Sequence, residues 1–148
     1  MYLLHGKNIT CGYDTVDILS ECTVGVKKGE IASIVGPNGA GKSTAMKSIF
    51  GLLKIRLGKI FLDNEDITNL LPQERVLKGM GYVPQTNNIF PTLSVQENLE
   101  MGAFIQHEDF SDILDYVYNL FPVLKEKRIQ QAGELSGGQR QQVAVGRA

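Results

Sequence analysis

The chain has 148 residues, 43% hydrophobic and 21% charged, which is ordinary globular composition and suits one domain at most. Lys and Arg number 15 against 16 Asp and Glu, a net charge of -1, so the basic excess of a general nucleic-acid binder is missing. No apolar run reaches the ~18 residues of a membrane span, and the first residues, MYLLHGKNIT, lack the charged and apolar regions of a signal peptide. The expectation is a soluble, cytoplasmic protein whose link to any membrane runs through a partner.

Residues 2–10 and 16–26 carry short β-like runs, with a turn expected at Gly12-Tyr13-Asp14. Cys11 and Cys22 fall in these runs and match no metal-ligand spacing, so both read as small apolar residues. His5 and His107 are isolated and read as packing or surface residues. Ile31–Val35 is a continuous apolar run rich in β-branched residues, which predicts a strand buried on both faces of a sheet. It leads through a glycine-rich loop, Gly36–Gly41, into the helical pattern of Lys42–Gly51, making strand, loop and helix one half of a βαβ unit.

Lys59–Leu62 reads as another strand, and Pro72 opens a short helix that Gly79 can end. Gly81–Pro84 is a short strand-like run before Gln85. Ser94-Val95-Gln96-Glu97 is a capping box, predicting a helix to about Ile105. Ile113, Leu114, Val117, Tyr118, Leu120 and Phe121 recur at helical spacing behind a Ser111 cap. Mixed α/β sequence comes first and helix dominates after residue 90, with the shift near 86–92 marking a subdomain boundary. There is no internal repeat or low-complexity linker.

Gly36-Pro37-Asn38-Gly39-Ala40-Gly41-Lys42-Ser43 matches the phosphate-loop pattern G-x-x-x-x-G-K-[ST] in full. A triphosphate concentrates negative charge, and successive backbone amides can all face it only where side chains do not intervene. The following helix adds free amides and the positive end of its dipole. In this pattern Lys42 reaches the β- and γ-phosphates, the Ser43 hydroxyl is placed to coordinate Mg²⁺, and the Thr44 hydroxyl lies near the α-phosphate. Further on, Leu135-Ser136-Gly137-Gly138-Gln139 starts an apparent helix over Gln139–Ala148. Its bare amides and Ser hydroxyl make a second place to hold a phosphate, although the same residues alone would also read as a plain helix cap.

Taken together, the two motifs resemble those of the ATP-binding subunits of ABC transporters. GPNGAGKST (Gly36–Thr44) looks like the family's Walker A motif, and LSGGQ (Leu135–Gln139) is identical to its signature motif. Tyr82-Val83-Pro84-Gln85 looks like the Q-loop, and Tyr13 lies where the family has an aromatic residue stacked on adenine. The resemblance implies a P-loop NTPase fold of α/β class: a RecA-like core with an antiparallel β flank (1–87, carrying Walker A and the Q-loop) and a helical subdomain (88–146) ending in the signature. It implies ATP and Mg²⁺ as ligands. The nucleotide would meet Tyr13, Gly36, Pro37, Asn38, Gly39, Ala40, Gly41, Lys42, Ser43 and Thr44, with Ser136, Gly137, Gly138 and Gln139 facing the nucleotide of a second, head-to-tail subunit. Lys42, Gln85, Ser136 and Gly138 would serve hydrolysis, and Ser43 and Gln85 the metal. The implied partners are that second ATP-binding subunit and transmembrane permease subunits, which would hold the protein at the inner face of the plasma membrane; nucleic acid is not among them.

Within the family, Ile89–Val95, Glu97–Phe104 and Phe121–Leu124 with Lys127-Arg128 and Gln131–Gly133 resemble branched-chain amino acid importer ATPases, a pattern that lipopolysaccharide-export ATPases share in large part. A soluble, non-transport ABC protein is a third reading. No apolar run ending in Asp-Glu follows Ser136, so the Walker B Asp, the neighbouring catalytic Glu and the later switch His that the family implies cannot be placed in residues 1–148. The expectation is therefore an incomplete domain, truncated after the signature, that binds ATP and hydrolyses it poorly alone.

Overall fold

The computed structural model describes residues 1–104 and 109–148, so His107 lies outside the described residues. The chain forms two compact units, Met1–Met80 and Gly81–Ala148.

The first unit is built on a four-stranded antiparallel sheet in the order β2-β1-β3-β4: β1 (Leu4–Tyr13), β2 (Val16–Val26), β3 (Leu57–Leu62) and β4 (Glu65–Asp66). β1 and β2 are joined by a two-residue turn, Asp14–Thr15, with Tyr13 paired to Val16. The turn therefore sits beyond Gly12, which is a buried strand residue and not the turn residue expected from sequence. Ile9, Cys11, Leu19, Ile60 and Ile67 leave the sheet on one side and bury against Ala45 and Ile49 of helix α1 (Lys42–Phe50). Register shifts in β1 around Asn8 (φ 51°) break the strict alternation, so Ile9, Thr10, Cys11 and Gly12 are all buried in succession. Helix α2 (Pro72–Leu77) begins at the proline and gives way to Gly79 in the left-handed region, as read from sequence.

Two predicted strands do not form. Ile31–Val35 lies outside any strand, and Ile31 and Val35 are 98% and 87% exposed. A strand buried on both faces needs neighbours to take its N–H and C=O groups, and no described residue pairs with this run. Gly81–Pro84 is likewise outside any strand.

The second unit is helical: α3 (Val95–Glu100), α4 (Ser111–Leu120), α5 (Pro122–Glu126) and α6 (Gly137–Arg147). Val95, Leu99, Val117, Tyr118, Leu124, Ala132, Leu135 and Val143 form its core. Gly146 lets α6 approach its neighbours, because a Cβ there would lie 2.8 Å from Val117 and 3.0 Å from Leu99. The capping box of α3 is made as predicted: Ser94 Oγ accepts from Glu97 N (3.2 Å) and Glu97 accepts from Ser94 N (2.7 Å). Those bonds hold the Glu97 carboxyl below its ordinary range. α3 passes into a 3-10 turn at Met101–Ala103, so the α-helix is shorter than predicted. Ser111 is the first residue of α4 and not its cap; the Asp109 carboxylate accepts from its N–H instead (2.9 Å).

Candidate functional site

The glycine loop turns by two residues in the left-handed region, Gly39 and Gly41, both at φ 87°. A side chain on Gly39 would meet nothing, whereas one on Gly41 would press on Leu19 at 2.7 Å. The loop is therefore held against β2 at its end and open in its middle. Ala40 N donates to Pro37 O (3.2 Å), closing the turn. The Lys42 ammonium bridges the loop's carbonyls, donating to Gly36 O (2.9 Å) and Pro37 O (2.8 Å).

Helix α1 then starts without any side-chain cap and with no acidic residue in its first turn. The first of its amides with a backbone acceptor is Ala45, which donates to Gly41 O (2.8 Å). Free first-turn amides, the dipole's positive end, an ammonium group and the exposed Ser43 hydroxyl make a donor set suited to a polyphosphate. Thr44 is buried. No cluster of three or more His, Cys, Asp or Glu among the described residues could hold a metal by itself. The Ser43 hydroxyl is a hard oxygen donor of the kind Mg²⁺ takes alongside phosphate oxygens, so the residues fit a metal brought with its polyphosphate.

The far end of α1 is fixed by Arg75, a residue that sequence reasoning missed. Its guanidinium is 2% exposed and donates to the carbonyls of Ser48, Ile49, Thr68 (3.0 Å) and Leu70 (3.1 Å). Burial draws its pKa down from the usual arginine range, and the carbonyls at the helix's negative end offset that loss of water. Tyr13 stands at the tip of β1 with 45% of its surface exposed; Lys47 of α1 lies 3.5 Å from its hydroxyl and 5.9 Å from its ring centre.

In the second unit, Leu135 is buried and delivers Ser136 as the N-cap of α6. Ser136 Oγ accepts from Gln139 N (3.3 Å) and Gln139 Oε1 accepts from Ser136 N (3.2 Å). Gly137 and Gly138 are exposed with open space at their Cβ positions. α6 begins two residues earlier than the sequence suggested, so both glycines are helical. Gln85 is exposed, on the segment leading to the buried Asn88. Asn88 donates to Gln141 Oε1 (2.9 Å) and Pro84 O (3.3 Å), and its carbonyl accepts from Arg147 (2.9 Å). Asn88, Gln141 and Arg147 thus tie the Gln85 segment to the signature helix. The buried Asn98 shapes the next loop by accepting from Phe90 N (2.8 Å) and donating to Phe90 O (2.9 Å) and Ser94 O (2.9 Å).

Residues 19–148 match the family described as "ABC transporter". The chain is 41% identical to the probable branched-chain amino acid transport ATP-binding protein LivF of Archaeoglobus fulgidus, over 99% of this chain and 62% of that protein. It is 37% identical to the high-affinity branched-chain amino acid transport ATP-binding protein BraG of Pseudomonas aeruginosa, over 99% and 63%. The chain therefore spans less than two thirds of the length of these relatives. A solved nucleotide-free ATP-binding cassette from an ABC transporter superposes with a TM-score of 0.85 at 32% identity, covering 100% of this chain and 64% of that one.

Proposed function

The chain belongs to the ABC transporter family and has the mixed α/β fold of its ATPase cassettes, and on that premise we propose that it is the ATP-binding motor subunit of an importer for branched-chain amino acids. The observation that carries the ATP assignment is the uncapped start of α1 behind the glycine loop, with Lys42 and Ser43 on its first turn. The similarity to LivF and BraG supports the cargo.

In this reading the amides from Gly39 to Thr44 take the phosphate oxygens. Lys42 leaves the Gly36 and Pro37 carbonyls for the β- and γ-phosphates, so an internal charge-dipole contact is exchanged for a charge-charge one. Ser43 and Gln85 serve Mg²⁺, which when bound neutralises charge on the transferred phosphoryl group. Tyr13 stacks on adenine. Residues 1–87 carry the nucleotide and 88–146 the signature, which faces the nucleotide of a second subunit bound head to tail. No helix among the described residues is long and apolar enough to cross a membrane, which accords with attachment at the inner membrane face through permease subunits. Hydrolysis calls for a base and for a Walker B carboxylate on the metal beside Ser43 and Gln85, neither of which can be placed in residues 1–148, so in this reading the chain alone binds ATP and turns it over poorly.

Titration of fluorescent ATP with Mg²⁺ into the parent and Lys42→Ala proteins tests the assignment. Hydrogen bonds to charged groups contribute ~1.5–3 kcal/mol, so the variant is expected to bind roughly ten- to hundredfold more weakly. Equal affinities would remove Lys42 from the site.

A further inference from the structure

Tyr13 lies one residue before the turn that returns β1 into β2, and the direction of its ring follows from how that turn is held. The Tyr13–Val16 pair closes the turn, and Asp14 sits at φ 50°, a left-handed conformation that Asp adopts more readily than most residues; the hairpin is also supported from outside.

The support comes from Arg56, in the segment between α1 and β3. Its backbone N–H donates to Thr10 O (2.8 Å), which anchors the residue against β1. One guanidinium nitrogen pairs with the Asp17 carboxylate at the start of β2, and another donates to the Asp14 carbonyl inside the turn. A single planar fork thus grips the turn and the strand leaving it. A lysine would have to draw both acceptors to one nitrogen, where the guanidinium meets them with two nitrogens of a fixed plane. Lys47 approaches the Tyr13 ring from α1 within cation–π range, so both groups that brace the tyrosine come from the phosphate-loop helix or from the segment that follows it.

We propose that Arg56 is a positioning residue for the base-binding end of the site: it fixes the Asp14–Thr15 turn and thereby the face that Tyr13 offers to a nucleobase. The proposal rests on the reading of Tyr13 as an adenine platform. Arg56 acts through Tyr13, so its effect falls on ligands that carry a base and spares those that do not. Binding of the phosphates depends on the loop and α1, whereas the hydrogen bonds of Arg56 go to Thr10, Asp14 and Asp17.

The test is titration of Mg-ATP and of Mg-tripolyphosphate into the 148-residue chain and its Arg56→Ala, Arg56→Lys, Tyr13→Ala, Tyr13→Phe and Arg56→Ala/Tyr13→Ala variants, with melting curves for each. Base–aromatic stacking predicts that Tyr13→Ala weakens ATP by about five- to hundredfold and that Tyr13→Phe binds nearly as the parent. Arg56→Ala is expected to weaken ATP by about three- to tenfold, the range of a positioning hydrogen bond. Arg56→Lys should fall between it and the parent, and the double variant should bind no more weakly than Tyr13→Ala. Tripolyphosphate affinity should be unchanged throughout. Should Arg56→Ala fail to fold, Asp17→Asn removes the ion pair alone and should weaken ATP by about twofold while sparing tripolyphosphate. An Arg56→Ala effect that is absent, equal for both ligands, or fully additive with Tyr13→Ala overturns the proposal; so does an Asp17→Asn effect that is absent or equal for both ligands. Unchanged ATP binding by Tyr13→Ala would instead overturn the adenine platform, and the proposal with it. A parent chain that binds tripolyphosphate and ATP equally would do the same.

Discussion

Helices α1 and α6 each have a glycine and a serine within two residues of their start, yet their first turns differ. α1 starts behind Gly41 with no side-chain cap and no acid nearby. α6 starts behind Ser136, whose hydroxyl and the Gln139 amide form a reciprocal box. The first start is chemically unfinished: its free amides and positive dipole end are suited to an anion. The second is partly completed from within: the box takes the Ser136 and Gln139 amides and leaves those of Gly137 and Gly138, and the Ser136 O–H is still able to donate outward. A phosphate at α1 would meet a first turn with no side-chain cap, and a phosphate at α6 would join one that already has its box.

Neither start supplies a base, and the largest expected effect follows from that. Phosphoryl transfer needs a positioned water and neutralised charge, and loss of one positioned base lowers the rate by ~10²–10⁴-fold. Phosphate release by the purified 148-residue chain should therefore stay near background while fluorescent ATP still binds, as proposed above. Turnover within tenfold of a catalytically competent relative, abolished by Lys42→Ala to exclude contamination, would show that a base lies within residues 1–148.

Next in size is Gly41→Ala. Alanine at φ 87° adopts a left-handed conformation that costs about 1–2 kcal/mol, and its Cβ would displace Leu19, 2.7 Å away in the buried core. Chemical denaturation should show that loss, and ATP affinity should fall because the loop's amides turn away. A variant as stable as the parent would mean that the loop is not held against β2.

Ser136→Ala comes third. Removing an N-cap hydroxyl costs about 1 kcal/mol. Ser43→Ala should cost less than about 0.5 kcal/mol, because Ser43 is exposed and caps nothing. Ser43→Ala should instead reduce Mg²⁺-dependent ATP affinity. Denaturation midpoints of the two variants compare the starts directly, and equal losses would erase the distinction between them.

These two starts were legible in the sequence because their requirements are local. Glycine spacing sets the loop backbone, and Ser followed three residues later by Glu sets the box at Ser94; at Ser136 the cap was read but not its box with Gln139, and the helix was started two residues late. The two strands of the hairpin were legible as runs, but their turn was placed too early, and their antiparallel setting came from the resemblance. Ile31–Val35 was misread because a strand is a pairing, and propensity does not say what lies beside it. Arg75 gave no signal: an arginine in a six-residue helix does not announce that it will cap α1 from 27 residues away. Nor did Arg56, whose grip on Asp17 spans 39 residues. The residues that would touch a ligand follow from motif, and those that brace them follow only from the fold.

The smallest effect is also the one of opposite sign. Gly138 lies in the first turn of α6 outside the positive-φ region, and a Cβ there would meet nothing within 4 Å. Alanine can adopt that backbone without strain, has the higher helix propensity, and restricts the unfolded chain. Interior Gly→Ala exchanges gain up to ~1 kcal/mol; at a first-turn position, where fewer helical bonds are at stake, about 0.5 kcal/mol is expected. Gly138→Ala should therefore raise the denaturation midpoint where Gly41→Ala lowers it. Such a gain would mean that stability does not call for glycine at 138, which leaves close approach by a ligand as the reason for a bare backbone there. If Gly138→Ala instead destabilises the chain as much as Gly41→Ala does, glycine is required at both starts for the fold itself, and the contrast between an uncapped and a capped helix fails.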